Sequence, residues 1–289
     1  MYRIAILGCE NSHADNFIGY INENLRDKIE VVGVYTEYAD AAQRMTEKFG
    51  VYVARSFDEF VGKIDGLVIT ARHGADHLRF ARPYLDSRIP MFIDKPITAS
   101  VDEAVELARL LMAKGIPYSG GSSCVHAKEM AELKEFISGA KTIHSAFLQA
   151  PVNLCNPYGD FWFYSQHLVQ VMQSLFGFYP TGVRAYREEG KVECIFNYGT
   201  FSVHATFASD VYTYFVAAVA DKSAISSTLS VDSTVFAKEF LDFYRLLEGG
   251  RSEEGLREFI SPVFVIDGVI RAMASGKEEQ ILPIPQDIR

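Results

Sequence analysis

The chain has 289 residues, 48% hydrophobic and 22% charged, as in a soluble protein with ample core, and it contains no repeat or low-complexity segment. Its net charge of −9, with no lysine- or arginine-rich run, excludes nucleic acid and an anionic membrane surface as main partners. Cys9, Cys124, Cys155 and Cys194 are widely separated and form no C-x-x-C pair, which excludes a disulfide framework and argues against structural zinc.

Met1 leads almost directly into an apolar run, so no signal peptide is expected. No apolar stretch approaches the ~20 residues of a membrane span. Reduced thiols and these absences predict a cytoplasmic protein.

"RIAILG" (3–8) predicts a first strand, followed by a helix with Phe17, Ile21 and Leu25 on one face. "EVVGVY" (30–35) predicts a second strand, then a helix through Ala42, Met45 and Phe49 that stops at Gly50. A short strand, "VYVA", and a helix-like "SFDEFVGK" come next. "GLVIT" (66–70) precedes a helix through His77, Phe80 and Leu85. "PMFID" (90–94) is followed by a helix from Ser100, where Ser100 and Glu103 form a capping box. "IPYSG" (116–120) closes the series. Apolar strands alternating with amphipathic helices predict a doubly wound parallel sheet covered on both faces.

After Gly120–Gly121 the texture changes. A helix (127–138), a strand (143–150) and a helical "DFWFYSQHLVQVMQSLFG" lead into five strand-like runs from about residue 181, rich in Val, Phe, Tyr and Thr. With no helices between them, they predict an antiparallel sheet. Two helices, 235–247 and 253–275, end the chain, with Pro262 interrupting the second. The expected organisation is a doubly wound unit (1–121) followed by an α+β unit (122–289).

The opening "GCENSH" stands where a dinucleotide fingerprint would read G-x-G-x-x-G. Gly8 is present, but Glu10 and His13 occupy the later glycine positions. Asn11, Ser12 and His13 fall at a helix N-terminus, whose free N–H groups and dipole favour a pyrophosphate. A carboxylate at Glu10 opposes it unless it points away. Equally, Asn11 or Ser12 serves only as a helix cap.

Three stretches make the chain resemble the glucose-fructose oxidoreductase / inositol dehydrogenase (Gfo/Idh/MocA) family of NAD(P)-dependent oxidoreductases over nearly its whole length. They are the opening strand–turn–helix; "MFIDKPITASVDEA", similar to the family's E-K-P motif with Asp94 replacing Glu; and "FWFYSQHLVQVM", similar to its D-x-G-x-H helix with His167 as the histidine. The resemblance implies a Rossmann domain joined to a domain with a large, mostly antiparallel open sheet. It implies NAD or NADP as cofactor, a small-molecule substrate, and association of subunits through that sheet as a dimer or tetramer.

By resemblance, Lys95 lies beside nicotinamide and substrate and His167 removes the hydroxyl proton. A cation at the C-terminal end of a parallel sheet sits where ligands bind and can stabilise a developing alkoxide. An imidazole with a pKa near 6.5 suits proton transfer. Phe163 replaces the family's aspartate, with Asp160 and Tyr164 nearby as candidates to compensate. The cofactor-binding set is Gly8, Glu10, Asn11, Ser12, Thr36, Glu37, Thr70, Ala71, His77, Asp94 and Lys95. Thr36 takes the usual ribose-binding acid's position and Glu37 follows it, leaving NAD and NADP both open. Arg72 and His73 are placed to face the same cleft and meet an anionic or polyol substrate. No ligand-spaced motif unites His73, His77, His126 and His167, so no metal is expected.

The expected activity is hydride transfer between nicotinamide and a hydroxyl/carbonyl carbon of a small sugar-like or polyol substrate. The alternatives are cofactor-assisted elimination or hydrolysis of a glycoside, and a non-enzymatic sensor or scaffold.

Overall fold

The computed structural model describes residues 1–288. The first sheet contains β1 (Tyr2–Leu7), β2 (Ile29–Tyr35), β3 (Gly66–Ile69), β4 (Met91–Asp94) and β5 (Tyr118–Gly121), all parallel, in the order β2-β1-β3-β4-β5. The strand expected at "VYVA" is reduced to one bridge, Val34 to Val53, and "SFDEFVGK" forms turns rather than a helix. The first sheet is flanked by α1 (Ser12–Tyr20), α2 (Ala39–Phe49), α3 (Ala75–Ala81) and α4 (Val101–Lys114). Gly50 ends α2 with a φ of +65°, and Ser100 Oγ caps α4 by accepting from Glu103 N.

The second sheet contains β6 (Ile143–Pro151), β7 (Gly182–Glu188), β8 (Lys191–Asn197), β9 (Ser202–Ala208), β10 (Phe215–Ala220), β11 (Ser223–Thr228) and β12 (Glu279–Gln280). Its order is β11-β10-β6-β9-β8-β7-β12, and every pair is antiparallel except β6–β9. That exception arises because β6 inserts between the otherwise consecutive β9 and β10. One face packs on α5 (Met130–Gly139), α6 (Phe161–Phe176) and the C-terminal end of α8 (Leu256–Ser275).

The last two helices return to the first sheet. From α7 (Ser233–Leu247), Phe240 and Phe243 join Phe17 and Phe92 in a fully buried aromatic cluster. Gly66 admits this helix, since a Cβ there would lie 2.6 Å from Leu247. In α8, Phe259, Ile260 and Val263 fill the first core while Val265, Ile266 and Val269 fill the second. One helix therefore fixes the sheets relative to each other, with each buried large apolar side chain contributing about 1.5–3 kcal/mol. Pro262 does not interrupt this helix. Its ring removes the N–H that would reach Glu258 O, and the Ser261 hydroxyl donates to that carbonyl instead at 2.8 Å.

Candidate active site

The turn after β1 is built around Gly8, whose φ is +82° and whose added Cβ would lie 2.4 Å from the Ala71 backbone. Glycine thus lets the ends of β1 and β3 close together. Asn11 caps α1 through Oδ1, which accepts from His13 N at 2.9 Å, while its Nδ2 donates to Thr70 O at 2.6 Å. Thr70 Oγ1 donates in turn to Gly8 O. Ser12, exposed, occupies the first turn of the helix.

Glu10 ties the same strand ends together. Its carboxylate accepts from Arg72 N at 2.7 Å and from Thr36 Oγ1 at 3.3 Å. Burial raises its pKa against the pull of these bonds. The carboxyl that sequence reasoning set against a pyrophosphate is thus held by the chain's own donors. Farther out, Glu37 accepts both terminal guanidinium nitrogens of Arg79, each at 3.0 Å.

Between the two halves lies a cavity of about 230 Å³ with Lys95 and His167 on one wall system, joined by Arg72, Phe163, Tyr164 and Tyr214. Lys95 follows β4, at the carboxyl edge of the sheet, where open α/β folds bind ligands. Its ammonium lies over Phe163 at 5.3 Å and Tyr164 at 5.8 Å from the ring centroids. Tyr164, rather than Asp160, accompanies Phe163 beside Lys95. Asp160 instead organises the preceding loop, accepting from Asn156 N at 3.1 Å.

His167 projects from α6, its Nδ1 2.7 Å from Ser122 Oγ and 3.5 Å from Cys124 Sγ. Burial, then Lys95 and His13, push its pKa well below 6.5. The neighbouring Gln166 fastens α6 to the Lys95 loop: its Oε1 accepts from Ile97 N at 2.9 Å. Arg72 Nη1 donates to Tyr158 OH at 3.2 Å, while its buried Nε has no partner.

Two expected cofactor residues stand behind this wall. His77 is fully buried, with Nε2 2.9 Å from Ala71 O and Nδ1 3.3 Å from Ile97 O, so both ring nitrogens face the loops they link. Asp94 is also fully buried; Oδ1 accepts from Lys95 N at 2.7 Å and Oδ2 faces His13. Burial would raise its carboxyl, but His13 and Lys95 outweigh that and hold it at about 2. Of the histidines weighed together as metal ligands, only His167 lines the cavity. His126 lies elsewhere, 3.4 Å from Asp242.

Sequence reasoning missed Ser122, Gln166 and Glu239. The polar run "GGSSC" at the end of β5 was the signal for Ser122, and the glutamine beside His167 was the signal for Gln166. Glu239, whose Oε2 lies 3.9 Å from His13 Nδ1, gave none, because only the return of α7 brings it there.

Residues 2–121 match a family model, GFO_IDH_MocA, described as an oxidoreductase family with an NAD-binding Rossmann fold. No curated protein matches by sequence. The fold is similar to that of myo-inositol 2-dehydrogenase from Lactobacillus plantarum, with a TM-score of 0.85 at 11% identity, covering 97% of this chain and 99% of that one. The WlbA dehydrogenase from Bordetella pertussis, solved with NADH and UDP-GlcNAcA, has a TM-score of 0.82 at 15% identity, covering 98% and 99%. Apo scyllo-inositol dehydrogenase from Lactobacillus casei has a TM-score of 0.83 at 11% identity, covering 97% and 98%. Among the described residues, no helix is long and apolar enough to cross a membrane.

Proposed function

We propose, on the premise that the chain belongs through residues 2–121 to the GFO_IDH_MocA oxidoreductase family, that it is an NAD(P)-dependent dehydrogenase of a small sugar-like or polyol substrate. The observation that carries the reading is the convergence of Lys95 and His167, from opposite halves of the chain, on one cavity beside the cofactor turn.

The residues present fit the cofactor. A Cβ at Gly8 would meet the Ala71 backbone at 2.4 Å, so the glycine keeps the strand ends closed, and the N-terminus of α1 opens beside it with Ser12 exposed. Gly8, Asn11 and Ser12 would hold the pyrophosphate side and Glu37 the ribose side, while Glu10, Thr36, Thr70, Ala71 and His77 shape the loops around them. When bound, the nicotinamide supplies the hydride acceptor or donor.

His167 accepts the hydroxyl proton of the substrate. With the ring proton on Nδ1 donating to Ser122 Oγ, Nε2 is the basic atom, and the depressed pKa keeps the imidazole neutral and ready to accept. Lys95 stabilises the oxygen as negative charge grows on it. Phe163 in place of a carboxylate leaves the ammonium against aromatic faces, with its charge available to that oxygen.

We also place subunit contact on the outer face of the second sheet, where Phe147 and Val219 are 38% and 44% exposed. Light scattering of the purified protein reads this part directly, and a monomer at all concentrations contradicts it. The redox reading is tested by supplying NAD+ or NADP+ with a panel of polyols, sugars and sugar acids and following reduced nicotinamide. Turnover lost in Lys95→Ala and His167→Ala, with NADH binding retained, supports it. Full activity in both variants overturns the assignment.

A further inference from the structure

Behind Lys95, three side chains converge that the reaction above leaves unused. His13 comes from the first turn of α1, Asp94 from the end of β4 and Glu239 from the middle of α7, and their relative exposures are 5%, 0% and 2%. His13 Nδ1 lies 3.1 Å from Asp94 Oδ2 and 3.9 Å from Glu239 Oε2, and the three ligand-type atoms all lie within 4.8 Å of one another.

These groups are not satisfied by the protein. Asp94 Oδ1 is bonded to Lys95 N, but Asp94 Oδ2, His13 Nδ1 and both Glu239 oxygens have no aligned hydrogen-bond partner. Buried polar atoms without partners are rare and destabilising. Packing holds the arrangement: Phe17 and Phe236 meet the His13 ring edge-to-face at 6.0 and 5.0 Å.

We propose that His13, Asp94 and Glu239 bind one divalent transition-metal ion, of the Zn2+ or Mn2+ type. An imidazole with two carboxylates is a mixed nitrogen–oxygen donor set suited to such ions. Two ligand atoms each about 2.1 Å from a common ion stand at most about 4.2 Å apart. Both separations from His13 already fall within that limit, and the carboxylate pair, no more than 4.8 Å apart, would need to close by at most about 0.6 Å. With both carboxylates ionised, the Lys95 ammonium offsets one of two negative charges, and the ion supplies the remaining compensation. His13 also lines the cavity.

The test uses the full chain without substrate or nucleotide, so its failure is distinct from failure of the redox reading. Chelator-treated protein is titrated with Zn2+ and with Mn2+ by calorimetry, and bound metal is counted by elemental analysis. One ion per chain is expected. Glu239→Gln, which keeps the shape and removes the charge, and His13→Ala should each weaken binding at least about 10-fold, with folding checked by circular dichroism. Co2+ bound to wild type should show visible bands characteristic of a nitrogen–oxygen site, a readout independent of the variants' folding. Binding of neither Zn2+ nor Mn2+ at micromolar concentration overturns the proposal, as does wild-type affinity in a folded Glu239→Gln or His13→Ala protein. Featureless Co2+ spectra, matching the free ion, count equally against it.

Discussion

The turn after β1 and the cavity around Lys95 share Asn11 and Ser12, yet their polar groups are treated differently. In the turn, Glu10, Asn11, Thr36 and Thr70 bond to one another or to nearby backbone, joining three strand ends. Around the cavity, Lys95 has aromatic faces for neighbours and Arg72 keeps a buried nitrogen without a partner. A saturated hydrogen-bond network fixes architecture, whereas buried polar groups left unsaturated are open to a ligand, an ion or water. Of the two residues in the later fingerprint glycine positions, Glu10 therefore holds the turn together, while His13 lines the cavity.

The largest effect should come from the unsaturated region. Lys95→Ala is expected to lower kcat by about 10²–10³-fold with NADH binding retained, measured by steady-state kinetics beside a nucleotide titration. His167→Ala should cost about 10²-fold or more, in the range of lost general-base catalysis. Ser122→Ala sharpens the point, since Ser122 acts through His167. About tenfold is expected in kcat with little change in KM, together with a displaced acid limb in the pH–rate profile. An unchanged profile would show that Ser122 does not orient the ring.

Stability carries a pH signature from the same burial. His77, His126 and His167 all have pKa values held below 6.5 by burial, so the unfolded chain binds protons that the folded chain refuses. Their contribution is complete above pH 6.5 and is lost as pH falls, for His126 between 6.5 and about 4. Glu239 runs in the opposite sense: held protonated, it contributes fully below pH 4.5 and less as pH rises toward its folded value. Melting temperature should therefore fall from pH 6.5 to 4, and the fall should shrink in His126→Leu. A flat profile would contradict the burial of these neutral rings.

The smallest effect should come from the saturated region. Glu10→Ala removes a carboxylate beside the cofactor turn and is expected to tighten NADH about 3–10-fold in calorimetry. The same change loses two hydrogen bonds, from Arg72 N and Thr36, and should destabilise the fold by about 1–2 kcal/mol in denaturant titration. Weaker nucleotide binding would mean that Glu10 does more than join strand ends.

How far the molecule was legible in its sequence follows the same division. Elements with strong periodicity were readable, including the helix ending at Gly50 and the one capped by Ser100, because their signals are local. "VYVA" and "SFDEFVGK" were misleading: four apolar residues pair only through Val53, and one amphipathic turn does not propagate into a helix. The β6–β9 parallel pair was invisible, since it depends on which strand inserts where. At the site, Lys95 and His167 were visible because each stands in a motif. His13 read as a degenerate glycine position and Glu239 as an ordinary helix residue, for their meeting with Asp94 depends on α7 folding back over α1.

The most direct test of the central claim is a calorimetric titration of the purified chain with NADH and with NADPH, in wild type and in Gly8→Val. The account predicts one saturable site per chain for at least one of the two nucleotides, abolished when a side chain is forced between the ends of β1 and β3. No binding of either at millimolar concentration would contradict it.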